Sequence, residues 1–85
     1  MDQRFVDLLT DTLPLAPDRP IAADDGLRDL GMDSMLAVEL LVGIEERFAV
    51  TLPDEELNDT TFATAGSLWQ TVRAALDHQQ KEHVR

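Results

Sequence analysis

The chain predicts an all-α fold: four helices, the third of them short, packed as a small bundle. Three observations carry this. Apolar residues recur at helical spacing in three separate stretches. No stretch keeps the strict alternation of a half-buried strand, so no sheet is expected. Pro, Asp and Thr bracket the helical stretches as stop and start signals. Eighty-five residues suit one domain, taken as residues 1–85 with a helical core over about 2–77 and a polar tail, 78–85, expected to fray. A domain this small buries only about 60–65% of its unfolded surface, so its core is modest.

The first helix is expected over Asp2–Leu13. Phe5, Val6, Leu8, Leu9 and Leu13 share one side, Asp2 serves as cap and Pro14 ends it. Pro14 to Asp33 reads as a long connection punctuated by Pro14, Pro17, Pro20, Gly26 and Gly31. Leu15, Ile21, Leu27 and Leu30 are expected to pin it to the core, with a short turn over Asp25–Leu30. The second helix runs from Ser34 to Ala49, capped by Asp33. Ala37, Leu40, Leu41, Ile44 and Phe48 form its core stripe. Gly43 inside it costs about 1 kcal/mol relative to Ala and is expected to loosen it. After an extended Val50–Pro53, a short helix is expected over Asp54–Asn58, its acidic first turn suiting the positive end of the helix dipole. Phe62 is expected to be buried. Thr64 caps a last helix carrying Leu68, Trp69, Val72 and Leu76.

Seven basic residues against seventeen acidic ones give a net charge of −10. Such a surface repels a phosphate backbone, which argues against nucleic acid and anionic membranes and in favour of basic protein partners. There is no cysteine, so neither disulfides nor a thiolate metal site is expected, which fits a reducing cytoplasm. The first residues lack the basic and apolar segments of a signal peptide. No apolar run approaches the roughly 20 residues of a membrane span. A cytoplasmic monomer is expected. Met1 and the chain length suit a free-standing protein, although an excised domain would read the same.

Ser34 lies in Gly31-Met32-Asp33-Ser34-Met35, at the loop-to-helix junction. Ser and Asp at a helix start are ordinary capping residues. The same place also suits a phosphodiester: Gly31 permits a close chain approach and the helix N-terminus favours negative charge. Other chemistry is not expected. His78 and His83 are five apart and share no helix face as ligands. No Ser-His-Asp set is formed, and Asp24, Asp25 and Asp29 lack the spacing of a calcium loop.

The stretch Leu27–Leu76 resembles the carrier proteins of fatty acid, polyketide and peptide synthesis. The resemblance is carried in order by Leu30-Gly31-Met32-Asp33-Ser34-Met35, by Val38-Glu39-Leu40, by Ile44-Glu45-Glu46-Arg47-Phe48, by Val50-Thr51-Leu52-Pro53-Asp54-Glu55-Glu56 and by Thr60–Thr64. It implies an acyl-carrier-like four-helix bundle with a long first loop and a short third helix. It further implies a 4′-phosphopantetheine arm on Ser34, transferred from coenzyme A by a phosphopantetheinyl transferase with Mg²⁺. Asp33 would help hold that enzyme's metal and orient the site. The arm's thiol would carry cargo as a thioester, and the carrier itself would catalyse nothing. Acyltransferase, ketosynthase or adenylation-type loading enzymes would be its partners.

Met35, Leu36, Val38, Glu39, Val42, Glu45 and Glu46 fall outside the core stripe of the second helix. They read as a docking face of apolar knobs flanked by acids, matched to basic rims on partner enzymes. Leu36 stands where fatty-acid carriers usually have an acidic residue, which points to a specialised pathway. Asp33 before Ser34 favours acyl cargo in a polyketide-type pathway. The alternative is an aminoacyl or peptidyl carrier feeding a polyketide or nonribosomal peptide line, since some stand-alone aminoacyl carriers share the Asp-Ser-Met pattern. A helical interaction domain without the arm is the remaining alternative.

Overall fold

The computed structural model describes residues 1–83, with side-chain surroundings through Gln79. The first helix, α1, spans Gln3–Thr12 and α2 spans Ser34–Phe48; a single 3-10 turn covers Asp54–Glu56, and α3 runs Ala65–His83. The third helix of the expected bundle is thus one turn. Among the described residues the only strand-like pairing is an isolated bridge between Gly26 and Thr64, and no helix is long and apolar enough to cross a membrane.

Asp2 caps α1 by accepting the Arg4 N–H at 2.8 Å. Phe5, Val6, Leu8 and Leu9 are buried on its inner side. Leu13 leaves the helix one residue earlier than expected, yet its N–H still reaches the Leu9 carbonyl and its side chain is buried. In α2, Leu40, Ile44 and Phe48 are buried, while Ala37 and Leu41 pack against the core half-covered. Ala49 adopts a left-handed conformation at φ 50° and closes the helix. The Gln79 side-chain amide of α3 donates to the Ala49 carbonyl at 2.8 Å, so α3 satisfies one of the open carbonyls at that end.

Helices α1 and α2 pack antiparallel, with Leu8 against Gly43 and Pro14 against Gly31. A Cβ on Gly43 would stand 2.8 Å from Leu8 Cδ1. Gly43 is therefore a point of close helix approach. Trp69 of α3 joins the layers: its ring centroid lies 5.1 Å from that of Phe5 and 5.8 Å from that of Phe48, in tilted geometry. Arg4 covers the Phe48 ring from outside at 4.6 Å.

The helix expected over Asp54–Asn58 stops at Glu56 because Leu57 leaves helical geometry. The Asn58 side chain competes with the backbone there, donating to the Glu55 carbonyl and accepting from the Thr61 N–H. At the other extreme, α3 continues six residues beyond the expected end at Asp77. No Gly or Pro follows Asp77 to stop it, and Gln and Lys propagate a helix readily. The tail expected to fray is helical through His83; Val84 and Arg85 lie outside the described residues.

The long first connection is held by the start of α3. The carbonyls of Ala23 and Asp25 accept the N–H groups of Gly66 and Ala65 at 2.8 and 3.0 Å, and Leu27 donates to the Ala63 carbonyl at 3.1 Å. Thr64 and Ser67 complete a reciprocal capping box, each hydroxyl accepting the other's N–H at 3.0 Å. Ile21, Leu27, Leu30 and Met32 are buried beneath this clamp. Leu15, expected to join them, is instead exposed. Pro14 and Leu15 both lie against Gly31, and the turn at Pro14–Leu15 leaves the Leu15 side chain facing outward.

Gly31 has φ +97°, and a Cβ there would meet Pro14 Cγ at 2.7 Å. Gly31→Ala should therefore destabilise the fold by about 1–3 kcal/mol, read as a lower urea midpoint with an unchanged slope. A second expectation concerns acid. Arg19 grips Asp25 with two hydrogen bonds of 2.7 and 2.9 Å. With the Ala22 N–H, it holds the Asp25 carboxyl down at about 2, from an ordinary 3.8. The stability this supplies is present above pH 3.8 and is lost as pH falls through about 2. Arg19→Gln should raise the Asp25 midpoint in a carboxyl NMR titration and flatten that part of the stability–pH curve.

Candidate attachment site at the start of the second helix

Ser34 is presented by a short chain of constraints. The Met32 N–H donates to the Leu27 carbonyl at 3.0 Å, and the Met32 side chain is buried. That fixes the last loop residue before the cap. Asp33 is extended, and its carboxylate accepts the Leu36 N–H at 2.9 Å. Its carbonyl accepts the Ala37 N–H, the first bond of the helix. Asp33 is thus the N-cap, and Ser34 is the first helical residue.

Ser34 is exposed, and its hydroxyl makes no hydrogen bond among the described residues. The cap bonds reach the N–H groups of Leu36 and Ala37. Those of Ser34 and Met35 are left for an outside oxygen, which a phosphodiester on Ser34 would supply. The residues present therefore fit a phosphate-linked group at this hydroxyl.

A cleft of about 250 Å³ opens beside Ser34. Met32, Ala37, Leu41 and Phe62 give it an apolar lining, with Leu57, Asn58 and Asp59 among its other walls. Arg28 and Asp59 form an exposed ion pair of 3.4 Å among the lining residues, a contact of small energetic weight. Met32, Leu57 and Phe62 were not among the expected site residues. Burial of Phe62 was legible from its place between helical stretches, but no spacing rule links residues 57–62 to residue 34.

The outer face of α2 is laid out as its periodicity implies. Met35, Val38 and Val42 are 77%, 59% and 47% exposed, with Glu39 and Glu46 exposed among them. Two residues differ from the outward set. Leu36 packs half-covered against the core. Glu45 is also half-covered, and its carboxylate accepts the Leu52 N–H at 3.1 Å, bracing the extended segment after α2.

The phosphopantetheine attachment site family model matches residues 3–72. An aminoacyl carrier protein of Agrobacterium fabrum (strain C58) is 37% identical over 60 residues, covering 71% of this chain and 72% of that protein. An acyl carrier protein of Campylobacter fetus subsp. fetus is 40% identical over 50 residues, covering 59% of this chain and 65% of that protein. Among solved structures, the fold is similar to a chain of the complex between an engineered Bradyrhizobium japonicum glycine:[carrier protein] ligase, a carrier protein from Agrobacterium tumefaciens and AMP. The TM-score is 0.71 at 32% identity, covering 86% of this chain and 99% of that chain. With the family model spanning most of the chain and an open serine at a capped helix start, the protein belongs to the phosphopantetheine attachment family, as a carrier protein with covalently bound 4′-phosphopantetheine.

Proposed function

We propose that the protein is an aminoacyl carrier, charged by an adenylation-type ligase that activates a small amino acid. The likeness to a structure in the glycine:[carrier protein] ligase complex, over nearly the whole of that chain, carries this reading. The Agrobacterium aminoacyl carrier supports it. Acyl cargo is the second reading, favoured by the Campylobacter acyl carrier and by Asp33 before Ser34. Leu36 favours delivery to a specialised polyketide or peptide line over fatty-acid synthesis. The absence of cysteine suits a reducing cytoplasm.

The chain's own residues act before and around the cargo. Ser34 Oγ attacks the phosphorus of coenzyme A that bears the pantetheine. The Oγ–P bond forms, the phosphoanhydride bond to adenosine 3′,5′-bisphosphate breaks, and the serine proton passes to a base on the transferase. The α2 N-terminus stabilises the resulting phosphodiester. Asp33 holds the helix start in place and offers its carboxylate to the transferase's metal. When attached, the group supplies a thiol that holds the cargo as a thioester. Met35, Val38 and Val42, with Glu39 and Glu46, meet the partner enzymes. Leu36 and Glu45 belong to the same face and also support its geometry. The carrier contributes no catalysis.

Incubation with coenzyme A, Mg²⁺ and a broad-specificity phosphopantetheinyl transferase should add one phosphopantetheine by intact mass, and Ser34→Ala should abolish the gain. The loaded protein, given ATP, an amino-acid mixture and a glycine:[carrier protein] ligase, should then gain one aminoacyl group. Gain of an acyl group alone, from an acyltransferase, would favour the second reading. Asp33→Ala should cost about 1 kcal/mol of stability through loss of the cap, whereas Asp33→Asn should keep most of it. Both variants should slow attachment to Ser34, which separates the carboxylate's charge from its capping role.

A further inference from the structure

Arg28 is the basic side chain among the residues that line the cleft beside Ser34, where it stands with two acids, Asp33 and Asp59. Other arginines are engaged or remote. Arg4 meets Asp2 and the Phe48 ring, and Arg19 grips Asp25. Arg47 lies near the far end of α2, about 20 Å from Ser34 along the axis. The backbone at Arg28 is fixed. Leu27 is buried and donates to the Ala63 carbonyl at 3.1 Å, and the Arg28 carbonyl accepts the Gly31 N–H at 3.0 Å. The side chain is held far less. It is 74% exposed, and its guanidinium meets Asp59 through one contact of 3.4 Å, longer than a good N–H···O bond. The Asp59 side chain is itself 98% exposed. That ion pair is also redundant as a clasp, because the Leu27–Ala63 bond and the Gly26–Thr64 bridge already tie the first loop to the segment before α3.

We propose that Arg28 is a positioning residue for the phosphodiester on Ser34, exchanging Asp59 for the phosphate once the arm is attached. This rests on the carrier reading above. Attachment adds a negative charge to a cleft that already holds Asp33 and Asp59. Arg28 is the lining side chain able to balance it. A phosphodiester offers its non-bridging oxygens to the planar guanidinium fork. Such a charge-assisted, bidentate contact is stronger than one long bond to an exposed carboxylate. The N–H groups of Ser34 and Met35, left open by the Asp33 cap, receive the phosphate from the helix side, and Arg28 holds it from the loop side. The arm then leaves Ser34 with a restricted direction. No covalent bond changes in the exchange; one ion-pair partner replaces another. Sequence spacing gave no sign of this, because Arg28 and Ser34 come together only at the walls of the folded cleft.

The test uses the full chain, before and after complete attachment of the arm, as wild type, Arg28→Gln, Arg28→Lys and Asp59→Asn. Both positions are exposed, so all should fold with near-native melting. On attachment the guanidinium N–H resonances of Arg28 should move downfield in proton–nitrogen NMR spectra, in wild type and in Asp59→Asn alike. The ³¹P resonance of the arm should differ between wild type and Arg28→Gln, with Asp59→Asn matching wild type. Arg28→Lys, which keeps the charge and loses the fork, should fall between the two. Urea unfolding gives the magnitude. Attachment should lower the unfolding constant of wild type by roughly twofold to fivefold more than that of Arg28→Gln, and the difference should shrink at high salt. Arg28 resonances unmoved by attachment, or one ³¹P position shared by wild type and Arg28→Gln, would overturn this proposal alone. So would an equal effect of attachment on the unfolding of both. A wild-type protein that gains no phosphopantetheine would overturn the carrier reading and this proposal with it.

Discussion

The structure depends on how the chain between Thr12 and Ser34 is held. A connection this long carries many backbone polar groups and little regular structure to satisfy them. The start of α3 has the opposite need, a set of N–H groups with no partner inside the helix. The two needs are met together where the Ala23 and Asp25 carbonyls accept the Gly66 and Ala65 N–H groups. Leu27, fully buried, lies beneath that junction. From there the chain turns through Gly31, and Met32 anchors the residue before the cap. The position of Ser34 is therefore inherited from α3 by way of the loop.

This arrangement separates the two demands on a carrier. The core is a thin stack in which Trp69 links Phe5 to Phe48 and Gly43 lets Leu8 close on α2. None of these residues lines the cleft beside Ser34. The serine end of α2 is left open, with an exposed hydroxyl, two N–H groups available to a phosphate and a small, partly apolar cleft beside it. The contacts that stabilise the core are thus separate from the exposed serine end. Much of the outer face of α2 lies outside those core contacts.

The division is not complete. Asp33 is both the cap of α2 and the carboxylate nearest the Ser34 hydroxyl in sequence. Glu45 lies among the outward residues yet ties Leu52 to α2. Leu36, an apolar residue early in α2, is half-covered against the core. At these three positions a substitution at the surface also touches the fold. The exposed positions Met35, Val38 and Glu39 carry no such cost.

The helices and the exposed serine at the start of α2 were determined by the sequence itself, because both depend on local chemistry. Periodic apolar residues, a capping Asp33, a stop at Pro14 and a helix start after Pro53 act over one or two turns and are readable wherever they occur. The resemblance running from Leu27 to Leu76 added the prosthetic group and the order of the elements. What tertiary structure alone decided lies where local preference is silent or outvoted. Leu15 reads as a core residue until the turn at Pro14–Leu15 leaves it outside, against Gly31. Gly43 reads as a weak point until Leu8 is found against it. The turn after Glu56 is cut short by Asn58, and α3 runs on because nothing local stops it. The cleft beside Ser34 joins residues 28–41 to residues 57–62, which meet only after the long loop has been pinned to α3. Sequence spacing encodes contacts along a helix, whereas these contacts are set by which surfaces remain to be buried once the helices pack.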